Sequence, residues 1–303
     1  MTRRTLILFV LIIFLVLFLI YFTLGRNRII STSKVNVVAS IYPLAYFAQE
    51  IGGERVHVVS ITPSGAEPHD YDLTSRDIIN IENSKLLLLN GLVEPWGESI
   101  KKAVEGKNIL VAEVGDGLFT TNQQGDMATL DPHVWISPPL AKKEVENIFA
   151  ALVKIDSGNE NYYNLNKRSL IAKLDSLDKE FGNSLKNCIS RNVVVSHAAF
   201  GYLTSSYGLV QVPISGLSPD AEPSLKKLSE ISDFARKNNI KYIFFESLVS
   251  SKLSETIASE VGAKTLVLNP LEGLTKAEIA QGEDYFSIMK RNLENLKTAL
   301  ECK

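Results

Sequence analysis

A chain of 303 residues, 45% hydrophobic and 22% charged, is long enough to bury a substantial core and to divide into two domains. Five of the 32 Lys/Arg and none of the 34 Asp/Glu fall within residues 1–34, so the remaining body carries a formal charge of −7. Such a body lacks the basic face that phosphate binding needs, which excludes nucleic acid as a partner. The two cysteines, Cys188 and Cys302, are too far apart in sequence for a zinc ribbon or a thioredoxin-like motif.

The first predicted element is Thr5 to Leu24, twenty residues without a formal charge and dominated by Leu, Ile, Phe and Val. At 1.5 Å per residue, a helix of about twenty residues covers the hydrocarbon core of a bilayer. Arg3 and Arg4 precede it as in a signal peptide, but the apolar run exceeds the usual ~7–15 residues and no small-x-small cleavage site closes it. Residues 1–34 therefore read as an uncleaved signal anchor and linker, with a long cleaved signal peptide as the alternative. Arg26, Arg28 and Lys34 follow the run and leave its orientation undecided by charge.

From Lys34 onward, apolar strand-like runs alternate with helix-like stretches. Val35-Asn-Val-Val-Ala-Ser leads to a helix from Pro43 to Glu50, then come Val56–Ile61, a helix near Thr74, the continuous run Leu86–Leu89, a helix near Trp96–Glu105, and Ile109-Leu-Val. This alternation predicts a parallel α/β sheet. The polar stretch 119–130 has no periodicity and reads as a surface loop. Pro139 to Asn187 carries no strand signal and reads as helix with one polar interruption at Asp156–Glu160; its second part places Leu170, Leu174, Leu177 and Phe181 at helical spacing. The strand–helix grammar restarts at Val193, Leu209, Tyr242 and Thr265. The predicted fold is thus α/β, two lobes that each hold a parallel sheet flanked by helices and are joined by one long helix: an N-terminal lobe over 35–138, the helical connection over 139–189, and a C-terminal lobe over 190–303. Cys188 falls just before the first strand of the second lobe and Cys302 ends its last helix, so the two could meet and pair in an oxidising compartment, a pairing the sequence leaves open.

Histidine is scarce, four in 303 residues. His57 alternates with valines and reads as a solvent-facing strand residue. The other three lie at the ends of strand or turn segments: His69 in Ser64-Gly-Ala-Glu-Pro-His-Asp-Tyr-Asp, His133 in Leu130-Asp-Pro-His-Val-Trp, and His197 in Val193-Val-Val-Ser-His. In open α/β sheets, ligands bind outside the carboxyl ends of the strands. Prolines beside His69 and His133 stiffen the backbone that carries them. Imidazoles presented by two lobes at such edges predict an inter-lobe metal site, and nitrogen ligands suit zinc better than manganese. The expected fourth ligand is Glu272 in Asn269-Pro-Leu-Glu, at a solvent-facing edge where water could replace it. Glu67 and Asp70 compete for that place, but read as turn-formers or as partners of a ligand ring.

These motifs, together with Ala39-Ser-Ile-Tyr-Pro-Leu, Ser196-His-Ala-Ala-Phe-Gly-Tyr, Gly216-Leu-Ser-Pro-Asp-Ala-Glu-Pro-Ser and Asp284-Tyr, resemble the zinc/manganese class of ABC-transporter solute-binding proteins, over about residues 35–303. The resemblance implies an extracytoplasmic, non-enzymatic subunit that captures Zn2+ as cargo with His69, His133, His197 and Glu272 and hands it to a membrane permease. Manganese-type relatives have a carboxylate where this chain has His197, so zinc is the implied cargo and Mn2+ the alternative. Two departures stand out: the 119–130 segment lacks the histidines many zinc-type relatives carry, and no lipid-attachment cysteine is present, which leaves residues 5–24 as the candidate tether. The competing classes are a zinc hydrolase, disfavoured by a carboxylate that closes the water position and by the lack of His-Glu-x-x-His, and a surface adhesin, for which no repeat or binding module speaks.

Overall fold

The computed structural model describes residues 34–124, 127–219 and 221–303. The run 5–24 lies outside the described residues, among which no helix is long and apolar enough to cross a membrane. Residues 34–303 form one compact unit.

The N-terminal half builds β1 (Val35–Ala39), α1 (Tyr42–Gly52), β2 (Val56–Ser60), α2 (Ser75–Glu82), β3 (Leu86–Leu89), α3 (Gly97–Val104) and β4 (Leu110–Glu113). The C-terminal half builds β7 (Asn192–Val195), α6 (Gly201–Ser206), β8 (Val210–Pro213), α7 (Leu225–Lys237), β9 (Tyr242–Phe245), α8 (Lys252–Val261), β10 (Lys264–Val267), α9 (Lys276–Ala280) and α10 (Tyr285–Leu300). Each half holds a four-stranded parallel sheet, ordered β2-β1-β3-β4 in one and β10-β9-β7-β8 in the other. Counted within each half, both orders are second–first–third–fourth strand, so the two lobes are wound alike. In each, the chain leaves the first strand in one direction and the third in the other, and a crevice opens between their carboxyl ends.

Local chemistry sets the helix starts. Thr74 with Asp77, Thr275 with Glu278 and Asp284 with Ser287 form reciprocal capping boxes at α2, α9 and α10. Pro43 and Pro138 stand at helix starts, where a missing N–H is no loss. β3 is buried at all four leucines, as its unbroken apolar run requires. One continuous core joins the inner faces of both sheets and the helices between them, from Val37 to Leu300. Smaller clusters around Ile81 and Leu87, and around Ile231 and Ile243, seal the outer faces.

The long joining helix is present as α5 (Glu160–Ser184), and α4 (Pro138–Ile155), on the other side of the polar interruption, packs against it. Asp156 breaks the helix: its Oδ2 accepts hydrogen bonds from Asn159 Nδ2 and Tyr163 Oη at 2.7 and 2.6 Å. Leu170, Leu174, Leu177 and Phe181 are all buried, as their spacing indicated. The polar segment 119–130 is not a plain loop. It contains β5 (Thr121–Gln124) and β6 (Met127–Leu130), an antiparallel hairpin that the polar sequence concealed.

Cys188 and Cys302 form a disulfide that fastens the end of α10 beside the entry to β7. It spans 114 residues, so closure of that loop contributes up to about 4–5 kcal/mol in the chain-entropy model. We expect no free thiol in the unfolded, non-reduced protein, and a lower melting temperature after reduction under otherwise equal conditions. Two titratable thiols in the non-reduced sample would refute the pairing.

Candidate metal centre

Four side chains from four segments converge between the lobes. His69 Nε2 lies 3.3 Å from His133 Nε2 and 3.4 Å from Glu272 Oε1. Glu272 Oε1 is also 3.1 Å from His133 Nε2 and 3.4 Å from His197 Nε2. All four candidate ligand atoms fall within 4.8 Å of one another. His57, by contrast, is exposed on β2, as expected.

Each of these residues is held by a local device. The segment after β2 turns at Gly65, whose φ of +85° suits glycine, and enters a single 3₁₀ turn at Pro68. Glu67 Oε1 accepts the His69 backbone N–H at 3.3 Å, which makes Glu67 the turn-former anticipated from sequence, while Asp70 is exposed and outside the cluster. His133 is pinned by Asp131, whose Oδ1 accepts the His133 backbone N–H at 3.0 Å and lies 2.8 Å from ring Nδ1. A Cβ at Gly201 would come within 2.9 Å of Asp131 Oδ2, so the glycine there makes room for that carboxylate. Two residues on, the Trp135 indole N–H donates to the Pro270 carbonyl at 2.7 Å, and Tyr285 Oη donates to the Trp135 carbonyl at 2.6 Å. Trp135 thereby ties the segment bearing His133 to the one bearing Glu272.

His197 stands at the end of β7 and Glu246 at the end of β9, the first and third strands of that lobe, so both face the crevice where the winding reverses. Glu246 Oε1 lies 2.6 Å from His197 Nδ1 and also accepts a hydrogen bond from Ser196 Oγ. Glu272 follows Leu271, which adopts φ +60° and donates its N–H to Asn269 Oδ1 at 2.7 Å. Asn269 is in turn bracketed by paired hydrogen bonds to Asn292.

A carboxylate on Nδ1 fixes the tautomer of a neutral imidazole and leaves the Nε2 lone pair facing the centre. That arrangement is present for both His133 and His197. His197 Nε2 and Glu272 Oε2 are buried and make no hydrogen bond among the described residues, an expensive state that a cation relieves. Four donors at the corners of a zinc tetrahedron stand about 3.4 Å apart. Four of the six edges, at 3.1–3.4 Å, match that value, and all four atoms lie within 4.8 Å of one another.

Electrostatics follow from the packing. Burial alone would disfavour the charged His133 and His197 rings, but the carboxylates outweigh it: Asp131 and Glu272 raise His133 above its ordinary value, and Glu246 and Glu272 raise His197 well above it. Burial works against a charged Glu272 too, yet the charge of His197 and the three rings that face it hold its carboxyl well below the usual range. Burial, and then the charge of Glu272, push Glu67 up to about 8.

The structure corrects one sequence expectation: Glu272 is fully buried, and the solvent-facing member is His69, whose side chain is 11% exposed. Sequence reasoning did not single out Glu246. The available signal was a carboxylate directly after the apolar run Tyr242–Phe245, at the same sheet edge as His197.

Two α/β lobes that clasp a buried cluster of three imidazoles and one carboxylate define a metal-receptor class of protein. The chain belongs to the family described as "Zinc-uptake complex component A periplasmic", which matches residues 37–299. It is 42% identical over 283 residues to the "High-affinity zinc uptake system protein ZnuA" of Bacillus subtilis (strain 168), a match covering 89% of each chain. It is 36% identical over 284 residues to the "Zinc-binding lipoprotein AdcA" of Streptococcus pneumoniae (strain R6), where 89% of this chain spans 57% of the relative, little more than half its length. The fold superimposes on the Zn(II)-bound ZnuA-like domain of S. pneumoniae AdcA with a TM-score of 0.78 at 36% identity, covering 89% of this chain and all of that domain.

Proposed function

We infer that this protein is the extracytoplasmic zinc-binding subunit of an ABC importer, and that His69, His133, His197 and Glu272 hold the ion directly. The observation that carries the ligand assignment is the cluster itself, four donors within 4.8 Å whose two deepest rings are each backed by a carboxylate. Three nitrogens and one oxygen in so close a cluster suit Zn2+; manganese favours more oxygen and more ligands. The protein captures its cargo without transforming it, and its partner is the membrane permease of the importer. The sheet orders and the α4–α5 connection support an N-terminal lobe over 35–138, a connection over 139–189 and a C-terminal lobe over 190–303. We further propose that residues 5–24 tether the body to the membrane, on the strength of their charge-free apolar run.

Native mass spectrometry of protein purified without added metal is expected to find one zinc per chain, and manganese in its place would overturn the cargo assignment. Affinity should also depend steeply on pH. The metal-free His133 and His197 rings hold their protons to higher pH than an ordinary imidazole, and zinc must displace those protons. Zinc affinity is therefore high at alkaline pH and begins to fall above the reference value of about 6.5. The decline reaches about a hundredfold per pH unit once both rings are protonated, tenfold for each. Competition against a chelator of known proton dependence measures this, and a constant affinity between about pH 8 and pH 5.5 would contradict a site built on these rings.

A further inference from the structure

The four cluster residues are not held equally. Asp131 and Glu246 fix the rings of His133 and His197 from buried positions, and the Asn269–Asn292 pair fixes the segment before Glu272. Among the described residues no carboxylate backs His69 Nδ1 in that way; apart from Nε2, which faces the other ligands, its anchor is the backbone N–H, which Glu67 accepts from within the same turn. The position of the His69 ring is therefore set by where its whole segment sits.

Among the described residues that segment is fastened across the cleft at Leu274. The Leu274 carbonyl accepts two hydrogen bonds from it, from Ser64 Oγ at 2.7 Å and from the Gly65 backbone N–H at 3.0 Å. Leu274 is itself buried, two residues beyond Glu272. The segments also touch closely enough that a Cβ on Gly273 would meet the Ala66 carbonyl at 3.7 Å and Leu248 Cδ1 at 3.4 Å. The fastening thus links the most exposed cluster residue of one lobe to the segment bearing the carboxylate of the other.

We propose that Ser64 is a positioning residue for zinc retention: its hydroxyl, bonded to the Leu274 carbonyl, holds His69 over the other three ligands and sets the rate at which the ion leaves. This deepens the zinc-site reading and rests on it. Losing the hydroxyl removes one of the two bonds at Leu274, and a part-buried hydrogen bond of ordinary net strength corresponds to about a fivefold change in an equilibrium or rate. The loss should appear in release, because the other three ligands are organised before the ion arrives and His69 completes the set.

The test is stopped-flow release of zinc from the full chain into excess chelator, with association measured separately. Ser64→Ala is expected to release zinc about fivefold faster with little change in association, and Ser64→Thr, which keeps a hydroxyl, to restore most of the parental rate. Ser60→Ala is the control, since the Ser60 hydroxyl donates to the Thr62 carbonyl within the same segment and crosses nothing. An unchanged release rate in Ser64→Ala, or equal acceleration in Ser60→Ala, would overturn the role of Ser64 and leave the zinc site intact. Failure of the parent to bind zinc in a His133-dependent way would instead overturn the site on which the proposal rests.

Discussion

Replacing His133 by alanine is expected to lower zinc affinity by more than ~100-fold, since even loss of a partner that merely orients a ligand costs about 10–100-fold. His133 Nε2 is fully buried, within 3.3 Å of His69 Nε2 and 3.1 Å of Glu272 Oε1, and no solvent can reach its place. Glu272→Ala should be comparably severe, although sequence alone had suggested a milder loss. Glu272 lies closest to the middle of the cluster, in reach of all three rings, and is the carboxylate they share. Removing it takes from the three Nε2 atoms the one carboxylate that they share in a buried space. His69→Ala should be the mildest of the three, because a water can enter at the partly exposed corner. Titration of each variant against a competing chelator gives the ranking. Parental affinity in Glu272→Ala would move the carboxylate ligand elsewhere, with Glu67 next in line.

Much of this arrangement was legible in the sequence because parallel strands buried on both faces leave unbroken apolar runs. Leu86–Leu89 and Tyr242–Phe245 announced themselves, and the histidines could be assigned to strand ends from their immediate neighbours. Depth was not legible. Glu272 sits in a short turn whose composition resembles a surface loop, and its burial arises from contacts with residues more than a hundred positions away, such as the Trp135 indole on Pro270. The pairing of Glu246 with His197 spans 49 positions and depends on β7 and β9 being neighbours, which is a property of strand order rather than of any local pattern. The 121–130 hairpin escaped notice for a different reason: its strands consist largely of polar residues, so no hydrophobic alternation marked them.

One buried group lies outside the metal site and carries the second large effect. Glu144 on α4 is completely buried, and neither of its carboxyl oxygens has a hydrogen-bond partner among the described residues. Burial first, and then the nearby charge of Glu94, push its carboxyl well above the usual range; Tyr285 is the other titratable group that senses it. The folded protein therefore holds the Glu144 proton to higher pH than the unfolded chain does. A folded value above the unfolded one means that the native state binds the proton more tightly. Stability at this residue is greatest below the ordinary carboxylate range and declines as pH rises from there toward the folded value. Glu144→Leu, of similar volume, removes both the proton linkage and the unpaired polar group. It should stabilise the metal-free protein at neutral pH by about 1–3 kcal/mol, or several degrees in melting temperature. The gain should grow as pH rises above the ordinary carboxylate range, because only the parent loses stability there through this residue. Calorimetric melting of the metal-free parent and variant at pH 5, 6.5 and 8 tests both the sign and the slope. A variant less stable than the parent at all three pH values would mean that the Glu144 carboxyl is satisfied by water in solution and supports the core in place of straining it.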